Sequence, residues 1–267
     1  MLHASLIAMT SVSALERAIF LISISGHLLL LAKLYFTRLY RIYCWFTLYL
    51  AFQLVTTVVL MLLNPRTNAF GYVWIPARLG VYVLYFLVVY ELYALVLKDY
   101  PGIQRLGQRA MLVAVAVSLL VSGSSLIVDM NANPDPYPIL KLVYTFGRGV
   151  TFSLVLFIAM MVGFLAYFPV PLKSNVVTHA ALNVAYFLAT SLGVFYRNMV
   201  GQGIARTLSM TLGALTAALL YCWFFRLSLA GEERVQSAGI RWDRGAEMHL
   251  LDQLKTINNS LLHPSLK

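Results

Sequence analysis

The chain has 267 residues, 60% of them hydrophobic and only 11% charged, with a mean hydropathy of +0.78; a soluble domain carries about 25% charged residues. A water-soluble fold of this length could not cover so much apolar surface, and long apolar runs in place of ten-residue alternating segments exclude a membrane β-barrel. The formal net charge of +10 is spread over short connections and the tail, so it reads as topology information and not as a nucleic-acid surface.

The first ten residues, MLHASLIAMT, lack the basic segment and the small-residue cleavage site of a secretory signal, and no cleavage is expected. Apolar stretches of about 20 residues then predict spans near 14–35, 43–63, 72–97, 110–129, 138–168, 176–198 and 203–228. Turn chemistry separates them: Asn64-Pro65, Tyr100-Pro101-Gly102, Asn131 to Pro138, Pro169-Val170-Pro171 and Gly201-Gln202-Gly203. The expected fold is an all-α polytopic membrane protein, a seven-transmembrane-helix bundle over 1–230. A polar tail over 231–267 follows, with one amphipathic helix at 246–262.

Short connections force neighbouring spans to run antiparallel, and the Lys/Arg bias then sets the orientation. Lys33, Arg38, Arg41, Lys98, Arg105, Arg109, Lys173, Arg226, Arg234, Arg241, Arg244, Lys255 and Lys267 fall on one side, thirteen of the twenty basic residues. The expected location is the cell membrane, multi-pass, with the N-terminus outside and the C-terminus cytoplasmic. In the tail, Leu250, Leu254, Ile257 and Leu261 recur at coiled-coil spacing. That stripe suits docking on the bundle, self-association or a cytoplasmic protein partner, and the neighbouring arginines suit anionic membrane lipid.

Inside the spans, polar residues line up at helical spacing, and in hydrocarbon such groups should face the bundle interior. Glu16, Ser23 and His27 share a face of the first span, and Tyr49, Gln53 and Thr56 one of the second. Arg78, Tyr82, Tyr85 and Tyr93 form a stripe on the third, with Glu91 opposite. Ser118, Ser122, Ser125 and Asp129 stack on the fourth, where close helix packing is the better explanation. Lys141, Tyr144, Arg148 and Thr151 align on the fifth, His179, Asn183, Tyr186, Thr190 and Arg197 on the sixth, and Arg206, Ser209, Gly213 and Thr216 on the seventh.

Arg78 and Arg148 sit about 9 Å and about 15 Å below the outer helix ends at 1.5 Å per residue. With Arg17, Lys141, Arg197 and Arg206 around them, and Glu16, Asp129 and Asp135 as the counter-charges, the outer half is net cationic. Two readings are open: a pocket for an anionic small molecule, or internal ion pairs of Arg17 or Arg78 with Glu16 and of Arg148 with Asp129. The expected ligand-binding set is Arg78, Tyr82, Tyr85, Arg148, Tyr144, Tyr186, Arg197, Arg206 and Glu16. On the inner half, Glu91 and His179 lie at similar depth, each a partner for the other or for Lys33. His27 reads as a hydrogen-bonded core residue, and Cys44 and Cys222 as small core residues.

The layout resembles that of microbial rhodopsins and seven-helix sensor modules, but the seventh span has no lysine for a retinal Schiff base. The sequence contains no metal-ligand spacing, no nucleophile with a nearby base and no paired carboxylates, so no catalytic role, metal or cofactor is expected. The expectation is a receptor-like or sensor-like protein that binds an anionic or lipid-like ligand in its outer half and signals through its tail. A small anion transporter or channel, or a structural subunit of a membrane complex, is the alternative.

Overall fold

A computed structural model describes residues 14–63, 68–132, 138–168, 170–200, 205–238 and 244–262. Among the described residues the fold is all-α and 90% helical. Seven long helices follow one another among the described residues: α1 (Ala14–Phe36), α2 (Cys44–Leu62), α3 (Asn68–Val96), α4 (Pro101–Ala132), α5 (Pro138–Tyr167), α6 (Ser174–Val200) and α7 (Ala205–Arg226). A 3₁₀ turn, Leu39–Arg41, joins α1 to α2 and is entered through Arg38 in a left-handed conformation (φ 57°). Pro101 and Pro138 each occupy the first position of their helix, where a missing N–H is no loss.

Among the described residues, five helical stretches are long and apolar enough to cross a membrane: Ala18–Phe36, Cys44–Leu62, Ala69–Val96, Ser174–Gly193 and Thr207–Arg226. In α5 the apolar stretch among the described residues is shorter, Gly149–Leu165. The surface is the inverse of a soluble protein's. Phe36, Leu62, Tyr72 and Phe225 are more than 70% exposed, while His27, Asn175, His179 and Asn183 are buried. Apolar groups turned outward and polar groups turned inward are what a hydrocarbon solvent demands.

Half of the apolar stretch of α3 is buried, more than in any of the other four, and α3 touches α2, α4, α5 and α6. It is the central helix. Tyr82 packs against Phe146 and Tyr93 against Phe157, so α5 runs parallel to α3, and α4 returns between them. α1 packs on α7 and α2.

The last part of the chain folds back onto one end of the bundle. After α7 come a short helix, α8 (Leu229–Glu233), and strand β2 (Val235–Ala238). β2 pairs antiparallel with β1 (Val170–Lys173), in register Val170 with Ala238 and Lys173 with Val235. The sequence reading placed a turn at Pro169-Val170-Pro171 and missed this pair. Helix α9 (Arg244–Leu262) then lies against α4. Leu250, Leu254 and Asn258 are its buried stripe, whereas Ile257 and Leu261 are exposed. The true period is four, because Asn258 Oδ1 accepts the Gly102 N–H at 2.8 Å and claims the contact position.

The two cysteines do not sit in the core as expected. Both Cys44 and Cys222 are exposed, on the outward faces of α2 and α7, where a small apolar thiol suits a lipid-facing surface as well as an interior.

Candidate functional site

The bundle interior carries a polar column along α6, with Asn175, His179, Asn183 and Tyr186 recurring every three or four residues and the first three at most 2% exposed. At its middle three tyrosine hydroxyls converge. Tyr186 is hydrogen-bonded to Tyr49 of α2 at 3.0 Å and to Tyr85 of α3 at 2.6 Å. Beside this knot lies a cavity with room for about one water, bordered by Asn183, Phe187, Thr216 and Trp223 among others.

Two turns before Tyr85 on α3, the Arg78 guanidinium stands over the Tyr82 ring at 5.6 Å from its centroid. Its Nε is buried without a hydrogen-bond partner among the described residues, and so is Oε1 of Gln53 on α2. Buried polar atoms are ordinarily satisfied, so two orphans on facing stripes mark this level as unusual.

Towards the β-strand end, Trp223 Nε1–H donates to His179 Nδ1 at 3.1 Å, which leaves the ring proton of a neutral imidazole on Nε2. That Nε2 has no hydrogen-bond partner among the described residues. The ring packs edge-on against Phe46 (4.5 Å) and Tyr43 (5.2 Å). The expected pairing of Glu91 with His179 or Lys33 is not what forms. Glu91 accepts the backbone N–H groups of Trp45 at 3.0 Å and Phe46 at 3.2 Å, capping α2 from a neighbouring helix. Lys33 donates to the Phe224 carbonyl near the end of α7 and lies over the Phe224 ring. Each charge has gone to the helix terminus of opposite partial charge. His27 is a hydrogen-bonded core residue, 5% exposed with Nδ1 at 2.8 Å from the Ser23 carbonyl.

No protein family, curated protein or solved structure matches this chain.

At the β-strand end the column runs into a knot around Glu232 of α8. Its carboxylate accepts from Tyr43 Oη at 2.7 Å, from Asn175 Nδ2 at 2.8 Å and from Lys173 Nζ at 3.1 Å. Asn175 also bonds the Ser228 backbone through Nδ2 (2.7 Å) and Oδ1 (3.2 Å). Burial pushes the Tyr43 hydroxyl well above the usual phenol range, and the Glu232 carboxylate pushes it further.

Of the expected ligand set, the structure brings Arg78, Tyr82, Tyr85 and Tyr186 together around the tyrosine knot. The side chains of Glu16, Tyr144, Arg148, Arg197 and Arg206 lie outside the described residues, as does the whole α4 stripe of Ser118, Ser122, Ser125 and Asp129. Tyr49 and Gln53 belong to the site although sequence reasoning left them out of the ligand set. Their stripe was visible; their neighbours were not. Trp223, Asn175 and Glu232 carry no such signal, apart from Asn175 standing four residues before His179.

Proposed function

We propose that this chain is a seven-transmembrane-helix receptor-like or sensor-like protein, N-terminus outside and C-terminus cytoplasmic, that binds a small anion at Arg78 and reports it through α6 to the tail. Two things favour seven crossings. β1 and β2 meet although α6 and α7 lie between them, and Gly102 meets Asn258 although α4 to α7 lie between them. Such contacts require an even number of crossings each time, and α5 running beside the central α3 supplies the pair that α4 begins. The Lys/Arg bias supports the orientation.

The observation that carries the ligand reading is the Arg78 guanidinium, set in the bundle beside Tyr82, Tyr85 and Tyr186 with an unpartnered Nε–H. A cation in such a place is stabilised by an anion. The column from Tyr186 through His179 to Asn175 ends on Glu232, which supports a route from that level to the tail. A rigid helix with two rest positions would connect the two ends.

The test uses purified protein in detergent, with sodium acetate added at ionic strength held constant by sodium MES, a bulky anion without a hydroxyl. Saturating acetate is expected to raise the melting temperature by about 5–10 °C and to change amide exchange in Val235–Ala238. Arg78→Gln should lose both responses. An Arg78→Gln protein that keeps wild-type stability and an unaltered acetate response sinks the reading. Acetate flux into proteoliposomes separates the alternatives, since a receptor gives none and a transporter does.

A further inference from the structure

The Arg78 level offers two unsatisfied groups of opposite kind. Arg78 Nε–H is a donor and Gln53 Oε1 an acceptor, both buried and both without a partner among the described residues. Their relative height follows from contacts on either side. Tyr49 packs on Tyr85 at 5.4 Å, and a Cβ on Gly80 would meet the Phe52 ring at 2.9 Å. Because α2 and α3 are antiparallel, each step along one matches a step back along the other. Gln53 then falls opposite positions 79 to 81, within about 1.5–4.5 Å of Arg78 in height. Both face inward: Gln53 is four residues after Tyr49, and Arg78 four before Tyr82.

A bare halide or a simple carboxylate accepts from Arg78 but leaves the Gln53 carbonyl stranded, and a buried acceptor left unpaired is costly. A ligand that carries an anionic oxygen and a hydroxyl satisfies both. Resting on the reading of an anion at Arg78, we infer that the site selects small anions bearing a hydroxyl group, with Arg78 holding the charged oxygen and Gln53 accepting the hydroxyl proton. Gln53 is the specificity-determining residue, and Arg78 supplies the affinity. The shared chemistry occurs in a free hydroxycarboxylate and in a phosphatidylglycerol headgroup, whose phosphate is followed by glycerol hydroxyls.

The experiment compares glycolate with acetate, which differ by that one hydroxyl, using the melting temperature of the full chain in detergent as the readout of affinity. The expected preference for glycolate is about tenfold, the ordinary consequence of one satisfied against one stranded buried group. Gln53→Met, similar in length and without the carbonyl, should abolish the preference for glycolate over acetate, while Arg78→Gln should abolish binding of both. A parallel arm places the protein in nanodiscs of phosphatidylcholine with or without phosphatidylglycerol. Stabilisation by phosphatidylglycerol that Gln53→Met removes, with glycolate inert, assigns the hydroxyl-bearing anion to a lipid headgroup. Acetate matching or exceeding glycolate, with phosphatidylglycerol inert, overturns the selectivity and leaves the anion at Arg78 standing. If no anion and no lipid acts, the two orphans share only a water, and both readings fall.

Discussion

A Cβ on Gly147 of α5 would run into the Tyr82 side chain, and one on Gly107 of α4 into that of Tyr93. At both places a tyrosine of the central helix reaches the backbone of a neighbour, and only glycine leaves room. Gly147→Ala is therefore expected to lower stability by about 1–3 kcal/mol, read as a fall in melting temperature. Tyr82→Phe in the same protein, which removes the nearest of the atoms in the way, should recover part of it; an unchanged melting temperature in the single variant would contradict this packing. Tyr43 makes a second prediction. Its folded pKa is raised, so the folded state holds the phenol proton more tightly than the unfolded chain. The stability that Tyr43 contributes is fully present below its unfolded pKa of about 10 and is lost as pH rises beyond it. Tyr43→Phe should remove that alkaline loss from a pH series of melting temperatures. Arg78, Tyr82, Tyr85 and Tyr186 are legible in the sequence because a polar residue in an apolar helix must turn inward, and periodicity gives its face. The partner across the interface depends on the rotation and height of another helix, which periodicity does not contain, and so the Glu91 cap on α2 and the orphaned Gln53 were not legible.

Glu91 and Lys33 solve the same problem at opposite helix ends. The free N–H groups at the start of α2 meet a carboxylate from α3, and a carbonyl near the end of α7 meets an ammonium from α1. Glu91→Leu should cost about 1–2 kcal/mol through the lost cap, and Glu91→Gln less, since the amide oxygen still accepts. Equal losses, measured by chemical or thermal unfolding, would mean that the cap contributes nothing. The long helices were legible as apolar runs, to within a few residues at most ends. β1 was hidden by its own composition: two prolines bracket Val170, and such a segment forms a strand only at an edge, with a partner remote in sequence. The tail helix was legible as amphipathic, but its contact stripe includes a polar residue, Asn258, that a search for leucines passes over. Leu254→Asp is expected to release α9 and raise amide exchange across 250–258 by more than tenfold, leaving the bundle helices protected. Unchanged exchange there would show that the Leu254 contact does not hold the helix.

For the whole molecule, composition alone dictated a helical membrane protein, and the inverted surface agrees, with large apolar side chains outside and amides and imidazoles within. Orientation rests on charge bias, and it makes a direct prediction: a fluorescent protein fused after Lys267 should fluoresce, and alkaline phosphatase at the same place should be inactive. The opposite result would invert the molecule and exchange the sides assigned to the Arg78 level and the tail. The pairing of β1 with β2 also bears on the order of assembly. Val170–Lys173 leaves the ribosome before α6 and α7, yet its partner Val235–Ala238 follows them. Until the final membrane helix has been threaded, β1 remains an open edge. The clasp is thus a completion mark, and a nascent chain stalled in α7 would display that bare edge to whatever surveys unfinished membrane proteins.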